Sequence, residues 1–231
     1  LAQPRNNYNT VRINKLIAQS TGISRRAADK AIADKRVTVN GITAETGQLV
    51  SDQDEIKLDD RILTMPTEFI TIILNKPRVY VSSRDGQGSK TIYDLLPRDL
   101  HHLKPIGRLD KDTSGIILLT SNGELAFSLS HPKFNKEKVY NARLAEPLKE
   151  SAENDIKNGS IKLDGKASRL ELKQLSSDRF SWQIKIHEGR NRQIRRTFEE
   201  AGYVVKSLHR LSFGGYELED LGEGEYRQLE I

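Results

Sequence analysis

The sequence predicts an α+β protein in two parts, a small helix-helix-hairpin domain followed by a larger domain built on a mixed or mostly antiparallel sheet. Two short helical patterns run into an Asn-Gly hairpin within residues 10–58. From residue 69 onward, apolar strand-like runs are interspersed with helical segments, without the regular βαβ alternation of a parallel sheet. Between them, residues 59–67 are polar and contain Pro66. The expected boundaries are therefore a first domain over 10–58, a linker over 59–67 and a second domain over 68–231.

In the first part, Ile13, Leu16 and Ile17 recur at the spacing of one helix face. Gly22 can close that helix in the left-handed conformation. Ser24 is placed as N-cap of a second helix carrying Ala27, Ala28, Ala31 and Ile32. Arg25 and Arg26 fall in its first turn, where the helix dipole disfavours cations and a bound phosphate would relieve the cost. Arg25 and Asp29 stand four apart as an attractive pair. Arg36 to Ile42 alternates β-branched residues into Asn40-Gly41, a strong hairpin signal. Asp54 to Leu58 alternates again. Between Arg12 and Arg36 seven cations face only Asp29 and Asp34, an excess equal to the +5 of the whole chain. The basic character is thus a local patch, and the bland alternative is a solvated face. The string RINKLIAQSTGISRRAADKAIADKRVTVNG resembles the RNA-binding module first known in the fourth protein of the small ribosomal subunit. That resemblance implies a grip on structured RNA through phosphates and shape, with Arg12, Lys15, Arg25, Arg26 and Lys30 as contacts.

In the second part, Phe69 to Leu74 is a continuous apolar run stopped by Lys76-Pro77, the pattern of a buried central strand. Tyr80 to Ser83 is expected to extend or pair with it. Arg84 to Lys90, with Gly86 and Gly88, reads as a loop, and Ile92 to Leu96 as a short helix stopped by Pro97. Ile116 to Leu119 is a second buried strand, and Asn122-Gly123 turns into a helix over Glu124 to Ser130. Strands follow at Val139 to Leu144, Leu170 to Lys173 and Ser181 to Ile186. A helix over Asn191 to Ala201 has Ile194, Phe198 and Ala201 as its stripe, and Val204 to Leu211 returns as a strand.

The bulk composition limits the chemistry. The chain has no cysteine, which excludes disulfides, thiolate zinc sites and a Cys nucleophile. Its five histidines show no zinc-hydrolase spacing. No apolar run approaches the ~20 residues of a membrane span, and Leu1 to Thr10 lacks the apolar stretch of an export signal. The expectation is a soluble, cytoplasmic protein with no membrane partner, no metal and no cofactor.

Three segments could carry chemistry. Gly107 to Gly115 gathers Asp110 and Asp112, Arg108 and Lys111, and Thr113 and Ser114 on a loop feeding a buried strand. Taken alone it could be a solvated turn, a glycosidase carboxylate pair or a calcium loop. The calcium pattern fails because Ser121 stands where the bidentate Glu belongs. Next, His187 to Arg196 crowds Arg190, Arg192, Arg195 and Arg196 at a helix start, with Arg192, Arg195 and Arg196 on one face. This suits an RNA phosphate, a buried carboxylate or both. Finally, Lys138 and Tyr140 alternate onto one strand face, where packing is the default role for the tyrosine.

Together GRLDKDTSG, KVY and GRNRQIRR resemble the pseudouridine synthases, most closely their RsuA branch, which joins such a catalytic domain to the same N-terminal module. The resemblance implies a specific uridine of ribosomal RNA, or of a pre-ribosomal particle, isomerised to pseudouridine. It implies Asp110 as nucleophile, Tyr140 stacked on the base and Arg195 paired with Asp110. Arg108, Lys138, Arg190, Arg192 and Arg196 follow as candidate RNA contacts. LSHPKFNKEKVY leans toward the large-subunit enzymes, and a monomer is expected. A non-catalytic ribosome-assembly factor would need the basic segments but not Asp110, Tyr140 and Arg195 together. A nucleoside hydrolase would need a second carboxylate, for which Asp112 is the nearby candidate.

Overall fold

A computed structural model describes residues 10–64, 66 and 68–230. The polar stretch Leu1–Asn9, most of the segment where no export signal is expected, lies outside the described residues. They form two compact units, one reaching Phe69 and including Ser121–Gly123, the other made of Ile70–Thr120 and the chain from Glu124 onward.

In the first unit, helix Ile13–Thr21 ends at Gly22, whose φ of 76° lets its N–H return to the Ala18 carbonyl. The Ser24 side chain accepts from the Ala27 N–H and starts helix Arg25–Ala33. Ile13, Leu16 and Ile17 pack with Ala28, Ala31 and Ile32 over Val37, Val39 and Ile56 of the sheet. That sheet runs Ile42–Thr43, Val37–Val39, Ile56–Leu58, Arg61–Ile62, all antiparallel. Asn40 and Gly41, at φ 52° and 80°, make the tight turn that the hairpin signal predicts. The expected direct pair of Arg25 with Asp29 is instead bridged: Arg25 donates to Asn14 Oδ1, and Asn14 donates to Asp29. The expected linker also begins too early. Asp59 and Asp60 take positive φ and turn the chain into strand Arg61–Ile62, and Leu63 packs on the core. Two adjacent aspartates resemble a solvated linker in sequence, but Asp tolerates the left-handed turn. Met65 and Thr67 of that segment lie outside the described residues.

The second unit is built on one nine-stranded sheet. Its main path is Glu171–Gln174, Ser181–Ile186, Lys138–Leu144, Val205–Phe213, Ser114–Thr120, Thr71–Lys76 and Tyr226–Gln228. Every pairing along it is antiparallel except that of Val205–Phe213 with Ser114–Thr120. The two continuous apolar runs are the two strands covered on both faces. Ile72, Leu74, Ile117 and Leu119 join a core with Trp182 and Phe198, while Ile73, Ile116 and Leu118 join another with Leu129 and Phe213.

Two expectations fail here. Tyr80 to Ser83 adds no strand, since Val81 makes only an isolated bridge to Thr91. The arginine helix starts at Gln193 rather than Asn191, because Arg192 sits at φ 47° outside it. Helix Glu150–Asn158 and hairpin Lys162–Leu163/Lys166–Ala167 were not foreseen. The helix buries only Ile156, so it has little apolar period to read. Among the described residues, no helix is long and apolar enough to cross a membrane.

Candidate active site

The loop ahead of strand Ser114–Thr120 is tied down from several sides. Leu109 is buried, and Ser82 both donates to its carbonyl (3.0 Å) and accepts from its N–H (3.2 Å). The Val79 N–H donates to the Lys111 carbonyl at 2.7 Å, and the Thr113 N–H closes a turn on the Asp110 carbonyl. Gly115, at φ 110°, meets strand Val205–Phe213 so closely that a Cβ would lie 2.2 Å from the Arg210 carbonyl oxygen. No other residue fits there without moving the parallel pair.

Asp110 and Asp112 differ sharply in surroundings. Arg192 donates to both carboxylate oxygens of Asp112 at 3.0 Å. Arg195 places Nε 3.2 Å from the same carboxylate and donates Nη2 to the Asp112 carbonyl and Nη1 to the Val205 carbonyl. The Arg192 hydrogen bonds, with the charges of Arg195 and Arg192, hold Asp112 below its ordinary carboxylate range against the opposing effect of burial. Asp110 receives only Arg192 Nη1 at 3.8 Å. Among the described residues, its carboxylate makes no hydrogen bond. The pair expected between Arg195 and Asp110 is therefore not formed; Arg195 serves Asp112 because three of its contacts lie at that residue and at Val205. Lys76 lies fully buried behind the loop, donating to the Pro77 and Tyr80 carbonyls. Burial pulls its ammonium down to about 8, opposed by the charges of Asp110 and Asp112.

Asp110 opens on a cavity of about 710 Å³, within the range of a nucleotide-sized site. Tyr140, Lys138, Arg108, Arg190, Arg192, Arg195 and Arg210 share it. Tyr140 and Lys138 lie on one face of strand Lys138–Leu144, as the alternation predicts. Tyr140 is buried against the main core. Lys138 donates to the Lys136 and Glu188 carbonyls, and burial with the nearby Arg210 charge lowers its pKa. Arg108 stands exposed at the rim.

Two expected RNA contacts are engaged elsewhere. Arg190 donates to the carbonyls of Leu163, Lys166 and Ala167 and to Glu188, holding a hairpin in place. Arg196 forks onto Asp164 at 2.7 and 3.0 Å, away from the cavity. The expected shared face of Arg192, Arg195 and Arg196 dissolves because Arg192 precedes the helix. Arg210 was not foreseen. Only 2% exposed, it lies 4.8 Å from the Phe213 ring and 6.0 Å from Tyr140, donates Nε to the Ile116 carbonyl and leaves Nη2 buried without a partner among the described residues. Thr113 Oγ1, also at the cavity, is buried and unpartnered among the described residues. In sequence, Arg210 is one polar residue of an alternating strand, and nothing marks it as buried.

In the first unit Arg12, Arg25, Arg26 and Lys30 are exposed and Lys15 is partly buried. The S4 domain family matches residues 11–56, and the RNA pseudouridylate synthase family matches residues 70–200. The chain is 36% identical to the ribosomal small subunit pseudouridine synthase A of Haemophilus influenzae, over 95% of this chain and 96% of that protein. It is also 36% identical to the ribosomal large subunit pseudouridine synthase B of Bacillus subtilis, over 94% and 91% of the two chains. A crystal structure of a pseudouridylate synthase superimposes with a TM-score of 0.68 at 36% identity, covering 95% of this chain and 96% of the other. A chain matched along nearly its whole length, with a carboxylate and a tyrosine both lining an arginine-rich cavity, belongs to the RNA pseudouridylate synthase family and carries an S4 domain in front of the synthase domain.

Proposed function

We propose that this protein converts a uridine of ribosomal RNA to pseudouridine, with Asp110 as the nucleophile. The observation that carries the reading is the unequal treatment of the two loop carboxylates. Asp112 absorbs Arg192 and Arg195, while the Asp110 carboxylate lines the cavity with no hydrogen bond among the described residues. A nucleophile must keep a lone pair free for the substrate, and a held neighbour fixes the loop that presents it.

The reaction breaks the bond between ribose C1′ and uracil N1 and forms one between C1′ and C5. The C5 proton is lost and N1 gains one, so the exchange is redox-neutral. The target must leave the RNA stack to reach Asp110, at a cost of a few kcal/mol. Tyr140 supplies an aromatic surface for the displaced base. Arg210 Nη2 and Thr113 Oγ1 are the buried groups we assign to its polar edge, since an unmet buried donor costs roughly 1–3 kcal/mol that a bound ligand recovers. Arg195 acts through Asp112 as a positioning residue. Arg108, Lys138 and Arg192 border the path of the phosphates.

In this reading residues 11–62 hold the RNA through Arg12, Lys15, Arg25, Arg26 and Lys30, and the second unit performs the chemistry. The protein acts as a cytoplasmic monomer on rRNA or a pre-ribosomal particle. The substrate leans to the large subunit through the LSHPKFNKEKVY stretch. The test is tritium release from rRNA labelled at uracil C5, followed by pseudouridine mapping in both rRNAs of a deletion strain. A single site lost in the large-subunit rRNA supports the full reading. Free uracil as product, or no tritium release, overturns it.

A further inference from the structure

Beside the cavity mouth lies an aromatic cluster that the chemistry above does not use. Phe127, near the end of helix Gly123–Ser130, is 48% exposed, and Phe134 is 40% exposed. Their rings meet edge to face at 5.8 Å. His131 lies 4.8 Å from Phe127 and 6.3 Å from Phe134. The Lys133 ammonium stands over both phenyl rings, at 5.2 and 4.7 Å. The geometry is prearranged: His131 Nδ1 accepts the Lys133 N–H, and Asn135 turns the chain at φ 44° after one short helical turn.

Two exposed phenylalanines stabilise nothing in the core, and burial of that apolar area needs an occupant. The surroundings select its chemistry. Lys133, Lys136 and Lys138 accompany the rings, and the one nearby acid in that segment, Glu137, is neutralised by Lys185 at 3.0 Å. An aromatic surface with a cation over it suits a nucleobase with its phosphate. The patch is also continuous with the cavity, because His131, Pro132, Asn135 and Lys136 line both.

We propose that Phe127, His131 and Phe134 form a stacking platform for one unpaired base flanking the target uridine, with Lys133 taking the adjoining phosphate. This inference rests on the RNA-modifying reading of the cavity. It adds a reason for the target nucleotide to stay out of its stack: a neighbour is held out beside it. None of these side chains touches the reacting atoms, so the platform contributes to substrate capture rather than to the chemical step.

The test uses the full chain with Phe127→Leu/Phe134→Leu, which keeps apolar bulk and removes the rings, and Phe127→Tyr/Phe134→Tyr, which restores stacking. Circular dichroism and melting confirm that both fold. Fluorescence anisotropy with a labelled decauridylate measures binding, and tritium release from C5-labelled rRNA measures turnover. The expected result is an affinity for decauridylate about tenfold lower in the Leu variant, in line with losing one stacked base. The KM for rRNA rises by a similar factor, kcat is kept, and the Tyr variant recovers both. Turnover by the wild type with no change in the Leu variant overturns the platform and leaves the catalytic reading standing. An equal loss in the Leu and Tyr variants also overturns it, since tyrosine restores the ring and a stacked base would be recovered with it. No tritium release by the wild type defeats the catalytic reading, and the decauridylate titration then decides the platform by itself.

Discussion

On the helix Arg25–Ala33 of the first unit, Arg25, Arg26 and Lys30 stand exposed, and the side chains of Arg26 and Lys30 make no hydrogen bond or ion pair among the described residues. In the second unit, Arg190, Arg192, Arg195 and Arg196 are as crowded in sequence, yet each is committed to carbonyls or carboxylates of the protein. The first group acts on whatever comes from outside. The second is spent holding a loop, a hairpin and a helix in register. A cation left in water interacts with a polyanion through screened, salt-sensitive contacts. A guanidinium forked onto a buried carbonyl or carboxylate is part of the frame.

The comparison can be tested at several points. Asp110→Asn should remove turnover, by about 10⁴-fold or more as losing a nucleophile does elsewhere. Gel-shift affinity for rRNA should survive, because the asparagine leaves both arginine groups in place. Near-normal tritium release would end the nucleophile assignment. Arg195→Lys should destabilise the second unit by roughly 2 kcal/mol, since a lysine cannot reach two carbonyls and a carboxylate together. Arg192→Ala, whose partners are half exposed, should cost less than about 1 kcal/mol. Equal melting shifts for the two would deny that Arg195 is structural.

Arg26→Ala/Lys30→Ala should leave melting unchanged but lower the slope of log affinity against log salt by about two, with roughly tenfold weaker binding at moderate salt. An unchanged slope would mean that the exposed cations meet no phosphate. The smallest effect concerns acid stability. Asp112 is depressed below its ordinary value of 3.8, so its contribution is fully present above that pH and fades as pH falls through the lower folded-state value. Asp112→Asn should therefore flatten the acid limb of a stability-versus-pH curve below about pH 4. Parallel limbs in variant and wild type would refute it.

The small domain was largely legible, because Gly22, Ser24 and Asn40-Gly41 each force a local geometry with little dependence on distant contacts. The central strands were legible as well, since burial on both faces leaves an unbroken apolar run. What escaped depends on partners far away in sequence. Arg210 looks like a surface residue until strand Val205–Phe213 is laid beside Ser114–Thr120. Asp112 and Asp110 are indistinguishable until Arg192 and Arg195 arrive from 80 or more residues downstream. Local spacing could pick out the arginines at the site, but not which carboxylate each would meet.

The parallel pairing of Ser114 and Gly115 with His209 and Arg210 also has a consequence for how the protein comes into being. It closes a loop of 95 residues between Ser114 and His209, among the entropically slower contacts for a chain to form. During synthesis, strand Thr71–Lys76 can pair with Ser114–Thr120 early, but the other edge stays open until strand Val205–Phe213 has emerged. Leu208, Arg210 and Phe213 of the cavity lining are missing until then. Asp110 is thus carried in an unassembled loop until strand Val205–Phe213 has been made. The S4 module, complete by about Leu63, can grip RNA long before the enzyme is able to alter it.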